Sequence, residues 1–143
     1  MRTGIGGPIE AMAAPLLALD APIEQKLKAA FAFLRTEVLG TRRKDIIRLF
    51  ITEAGRFPEI AEFYHREVLA RGLGLLRALA EGAVARGEFR SDALVRFPQL
   101  VVAPVLVALV WAHLFERFEP LDSAAMFDAH VDLLMRAMRG EAP

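Results

Sequence analysis

The stretch 53-EAGRFPEIAEFYHREV-68 decides the fold. Apolar residues at helical spacing run up to it and continue long after it. The Gly55-Arg56-Phe57-Pro58 step inside it marks either a chemical site or a corner between two packed helices. Glycine takes the left-handed conformation that ends a helix. Proline lacks the N–H a helix interior needs, but suits the first helical position. Glu59 then lies near the positive helix end. The step therefore reads as a corner, with Phe57 folding back as an apolar staple.

Downstream of the corner the spacing predicts a long helix from Pro58 to Arg86, roughly 43 Å at about 1.5 Å per residue. Ile60, Tyr64, Val68, Gly72, Leu75, Leu79 and Ala83 fall on one face, and Glu59, Glu62, Arg66, Arg77 and Glu81 fall opposite. Gly87 stops it and Ser91 caps the next segment. Residues Phe97–Phe115, FPQLVVAPVLVALVWAHLF, are apolar almost all round, which predicts a helix buried on every side. The last helix is expected from about Asp122 to Arg139, ending at Gly140.

Upstream, Gly4 to Pro8 reads as a loop or a frayed helix start, followed by a helix to Leu19. Asp20-Ala21-Pro22 starts the next helix, whose apolar face carries Ile23, Leu27, Phe31, Leu34 and Val38. Gly40 and Thr41 separate it from a helix with Ile47, Phe50, Ile51 and Ala54 on its apolar face. No strand alternation, repeat or linker appears. The chain is expected to be all-α, an antiparallel bundle of about six helices.

At 143 residues the chain is one domain's worth, and 55% of it is apolar. That share exceeds the ordinary 45–50% or so, and the excess must be covered somewhere. Eighteen basic residues balance eighteen acidic ones, so no global charge draws nucleic acid or anionic membrane. The absence of cysteine excludes disulfides and thiolate chemistry and fits a reducing cytoplasm. The short apolar run from Ala11 to Leu19 lacks a signal-peptide cleavage pattern. Pro98, Gln99, Pro104 and His113 interrupt the apolar stretch as a membrane span.

The usual catalytic patterns are missing. Ser91 and Ser123 are the only serines, neither in a Gly-x-Ser-x-Gly turn. No His-Glu-x-x-His or phosphate loop occurs, and the Gly4–Gly7 run follows no strand. Asp128, His130 and Asp132 lie two apart on a helix and so point away from each other, which predicts no metal site. His113 is expected as a hydrogen-bonded core histidine. Arg42, Arg43 and Lys44 form a solvated basic cluster without the interleaved aromatics of a nucleic-acid site. No catalytic residue and no cofactor are assigned.

Four segments together resemble the TetR/AcrR family of bacterial transcriptional regulators, in its C-terminal effector-binding and dimerisation domain. They are RLFITEAGRFPEIAEFYHREV (48–68), GLLRALAEGAVARGEFR (74–90), VVAPVLVALVWAHLF (101–115) and FDAHVDLLMRAMRG (127–140). These are packing patterns, and the resemblance runs from about Pro22 to Gly140. It implies that residues 1–20 correspond to the helix connecting to a DNA-binding domain, and 21–143 to the ligand-binding and dimerisation domain. The family's helix-turn-helix, which sets a recognition helix in the major groove, has no counterpart in these residues, so no specific duplex binding is expected of them. The resemblance further implies a cytoplasmic homodimer, paired through its last two helices, with a small and often apolar effector bound among the connecting and middle helices. The alternative is a stand-alone helical small-molecule binder or a small helical enzyme.

Helical spacing places Phe31, Leu34, Phe50, Tyr64 and Val68 on inward faces of three consecutive helices, with Trp111 closing an apolar pocket and Tyr64 supplying its hydroxyl. The alternative for each is plain core packing. For the pairing surface the expected residues are Val101, Val105, Leu109, Phe127, Val131, Leu134 and Met138. In the last helix, Asp128, Asp132, Arg136 and Arg139 occupy a polar arc of roughly 80° at about 100° per residue. The apolar residues spread over roughly 200°, twice the stripe of about 100° that a single core requires. One flank should face the chain's own core and the other a second copy. Of Val131→Arg and Ala137→Arg, one should then unfold the chain and the other should separate the copies.

Overall fold

The computed structural model describes residues 13–36, 52–53 and 55–140, excepting the side chain of Tyr64. The helix expected around Phe50, the Gly40-Thr41 break, the Arg42-Arg43-Lys44 cluster and the N-terminal loop lie outside these residues. The described residues are helical with no strand. The elements are α1 (13–18), α2 (Ile23–Leu34), α3 (Pro58–Tyr64), a π turn (His65–Leu69), α4 (Ala70–Ala85), the single turn α5 (Ala93–Arg96), α6 (Gln99–Leu114) and α7 (Ser123–Arg139).

The helix ends follow from local chemistry. The Asp122 carboxylate accepts the Ala125 N–H at 3.1 Å and caps α7, and Gly140, at φ 75°, terminates it in the left-handed region. Gly87, at φ 79°, ends α4 in the same way. The Ser91 hydroxyl accepts the Ala93 N–H at 3.1 Å, ahead of α5. Pro22 precedes α2 and offers no side-chain cap. Glu88, 65 residues away, supplies one by accepting the Ile23 N–H at 2.8 Å.

The opening stretch does turn at Gly55-Arg56 ahead of α3, but the turn is built differently from the expectation. Gly55 is not left-handed, because the carbonyl of Glu53 accepts both the Arg56 and Phe57 N–H groups and turns the chain without positive φ. Phe57 is exposed, its ring 5.5 Å from the Arg56 guanidinium, rather than folded back as a staple. Pro58 does open α3. The long helix that follows reaches Ala85 with a π turn in the middle, which shifts the register between its two halves.

The core joins one face from each main helix. Leu16, Ile23, Leu27, Ala30 and Phe31 meet Leu75, Leu76, Leu79, Ala80 and Ala83, with Phe89 and Leu94 at the connection. Val101, Val105, Ala108 and Leu109 of α6 and Phe127, Val131, Met135 and Met138 of α7 complete it. Side-chain contacts fix the directions. Arg139, at the end of α7, reaches Glu24 in the first turn of α2 at 3.0 Å, while the rings of Phe31 and Phe127 lie 5.1 Å apart, so α2 and α7 run antiparallel. His130 Nε2 bonds the Leu100 carbonyl at 2.9 Å and ties α7 to the first turn of α6.

The expectation that α6 is buried on every side is corrected. Its residues at 101, 104, 105, 108 and 109 are buried, but the opposite face is open, and His113 is exposed there rather than in the core. A helix packed between α5 and α7 covers only the stripe those neighbours reach. No helix among the described residues is long and apolar enough to cross a membrane.

Candidate functional site

Two features stand apart from ordinary core packing. The first is a small apolar cavity of about 10 Å³ between α2, α4 and α6, lined by Leu27, Ala30, Phe31, Leu34, Leu76, Val101 and Val102. Phe31 forms its floor, held by the tilted Phe127 ring and by the edge of His130, 6.0 Å away at 89°. The space admits about one water, and no polar side chain lines it.

The second feature is the outer face of α6. Leu100 is 49% exposed and Leu114 50%, and Leu106, Val107 and Val110 are each exposed by two fifths or more. Leu133 of α7 is 63% exposed. Arginine–phenylalanine pairs stand at both ends, Arg96 over Phe97 at 5.5 Å and Arg117 over Phe118 at 4.7 Å. Monomeric surfaces rarely leave so many large aliphatic side chains on one helix.

The end of the bundle away from the cavity is polar and tied. The Glu88 carboxylate holds the Ile23 N–H and pairs with Arg86. Burial pushes the Glu88 carboxyl up, but the Ile23 N–H, Arg86 and nearby Lys26 outweigh it and hold it below the ordinary glutamate range. Arg139 and then Lys28 hold Glu24 below that range too. The Arg90 N–H donates to the Met138 carbonyl at 2.8 Å, so the end of α7 is fastened as well. No group of three or more histidine or acidic side chains able to hold a metal ion occurs among the described residues.

Residues 19–134 match the family described as the tetracyclin repressor-like C-terminal domain. The chain belongs to this family. No curated protein and no solved structure matches it.

Within this tetracyclin repressor-like domain the predicted site residues divide unevenly. Phe31 and Leu34 line the cavity. Val68 is half-buried in the π turn and is not part of the cavity wall. Phe50 and the Tyr64 side chain lie outside the described residues. Trp111 does not close the cavity. It lies near the far end of α6, packs at a tilt against Phe115 with ring centroids 5.2 Å apart, and donates its indole N–H to the Glu119 carbonyl at 2.6 Å, closing the α6–α7 turn.

The residues expected to face a partner lie mostly inward in the single chain. Val101, Val105, Leu109, Phe127, Val131 and Met138 are buried in the chain's own core, and Leu134 is half-buried against it. Apolar residues fill both faces of α6, so composition along the helix carried no sign of which face turns inward. Val101 belongs to the cavity wall instead. The residues left outward are Leu100, Leu106, Val107, Val110, Leu114 and Leu133. Only Leu133 had a visible signal, its place in the wide apolar span of the last helix. Leu76 was missed on the cavity wall because an unbroken helix from Ile60 puts Leu75 and Leu79, not Leu76, on the inward stripe.

Proposed function

We propose that this domain is the effector-sensing and pairing part of a transcriptional regulator, acting in the cytoplasm as a homodimer. The observation that carries the reading is the open apolar face of α6 in a chain of this family, with Leu106, Val107 and Val110 at its centre. A second copy applied across a two-fold axis covers that face and Leu133 together. An obligate interface of this kind buries roughly 2,000 Å² or more.

The small molecule enters at the cavity beside Phe31 and Leu34. The wall there is apolar, which selects an apolar or amphipathic compound, and the present volume requires side chains to part on binding. Its effect passes through α1, which buries Leu16 in the same core as α2, to a DNA-binding domain outside these 143 residues. The family match supports a regulatory role, and the described cavity wall is wholly apolar.

A thermal-shift screen of diverse apolar compounds tests the sensing role. A compound at 100 times its Kd adds about 2.7 kcal/mol of stability, and Phe31→Ala should abolish that gain. A hit whose gain is unchanged in Phe31→Ala and in Leu34→Ala would place binding elsewhere.

A further inference from the structure

The helix from Pro58 to Ala85 has two unlike halves. Its second half is anchored, with Leu75, Leu76, Leu79, Ala80 and Ala83 all in the core. Its first half carries no buried residue between Pro58 and Leu69 among the described side chains. The π turn His65–Leu69 separates them, and Gly72 and Gly74 follow it in the first turn and a half of α4. Glycine in a helix interior requires a reason, because it is the poorest helix former after proline. Among the described residues close packing is not the reason, since a Cβ built on either glycine meets none of their atoms within 4 Å. Positive φ is not the reason either, since only Gly87 and Gly140 have it among the described residues. What remains is backbone freedom.

We propose that the π turn together with Gly72 and Gly74 is a hinge, about which the Pro58–Leu69 arm swings on the anchored α4. Mid-helix π turns interrupt the regular hydrogen-bond ladder, so bending concentrates there. Arg71 reaches back to Glu67 at 2.9 Å across the junction and acts as a strap that survives a modest bend. The hinge lies within one turn of Leu76, which stays with the anchored half, so the arm swings relative to that cavity wall. That consequence rests on the ligand-binding reading; the hinge itself does not.

The chain has no cysteine, so paired spin labels can be introduced cleanly. Ala61→Cys in the arm and Ala78→Cys in the anchored half are both exposed. A straight helix separates them by about 26 Å, at about 1.5 Å per residue. Singly labelled proteins give the signal between copies, to be subtracted. The hinge predicts a broad or two-peaked distance distribution, collapsing to one narrow peak when Gly72→Ala and Gly74→Ala are combined. A narrow peak in the parent protein, or an unchanged width in the double-alanine protein, overturns it. So does unfolding of the double-alanine protein, which would mean the glycines serve packing. Failure of the ligand screen leaves this result untouched, and a rigid helix leaves the screen untouched, so the two ideas fail separately.

Discussion

The inner and outer faces of α6 and α7 have the same chemistry and opposite surroundings. Inside, Val105, Leu109, Val131 and Met135 are at most 5% exposed. Outside, Leu100, Val107, Leu114 and Leu133 are each 45% exposed or more. Valine and leucine stand on both faces, so side-chain type does not say which face is a core and which an interface. The difference lies in what each face can reach. The inner face meets α2 and α5, and the outer face has no further element of the described chain to meet. Removing an aliphatic side chain from water is worth roughly 1.5–3 kcal/mol, so an open row of them favours a second copy.

The largest test of this contrast is Val131→Arg. Val131 is 1% exposed, and an unpaired charge there has no partner or solvent. The chain should fail to fold, seen as loss of the cooperative thermal transition by circular dichroism. Next is Phe31→Ala, which removes the ring packed on Phe127. It should destabilise by about 3–5 kcal/mol, read from chemical denaturation, with the dimer intact.

Glu88→Gln sharpens the contrast at the tied end. Loss of the remote cap on Ile23 and of the Arg86 pair should lower stability by about 1 kcal/mol, the usual worth of a helix cap. The pH dependence follows from the sign of the shift. Glu88 and Glu24 are held below the ordinary glutamate value in the folded chain, so their contribution is full above about pH 4.3 and is lost as pH falls through their folded values. Denaturation midpoints against pH should fall below that point, and less steeply in Glu88→Gln.

The smallest effect on the chain itself is expected for Ala137→Arg. Ala137 is exposed on α7, in the flank that carries Leu133. Surface changes of this kind stay within about 0.5 kcal/mol for the separate chain. Yet sedimentation velocity should show the copies driven apart, because a charge enters the covered face without a partner.

Much of the fold was legible in local chemistry. The proline at 58, the glycines at 87 and 140 and the aspartate at 122 mark helix ends where the structure has them. The polar arc Asp128, Asp132, Arg136 and Arg139 is exposed as its spacing requires. The π turn was not legible, because a register shift of one residue leaves no residue-type signature. Val68 lies in that turn, outside the cavity wall, and Leu76 is on the wall beside the expected stripe of Leu75 and Leu79. The orientation of α6 was equally silent, since a helix apolar all round has no moment to read. Val101, Val105 and Leu109, expected toward a partner, lie in the chain's own core. Trp111 was misplaced for another reason: its partner is the Glu119 carbonyl, a backbone group that no side-chain pattern reveals.

We propose that a second copy covers the outer face of α6 and α7. Multi-angle light scattering of the 143-residue protein at micromolar concentration tests it most directly. The account predicts one species of twice the 15.8 kDa chain mass, unchanged on moderate dilution. A stable, monodisperse species of 15.8 kDa would contradict it.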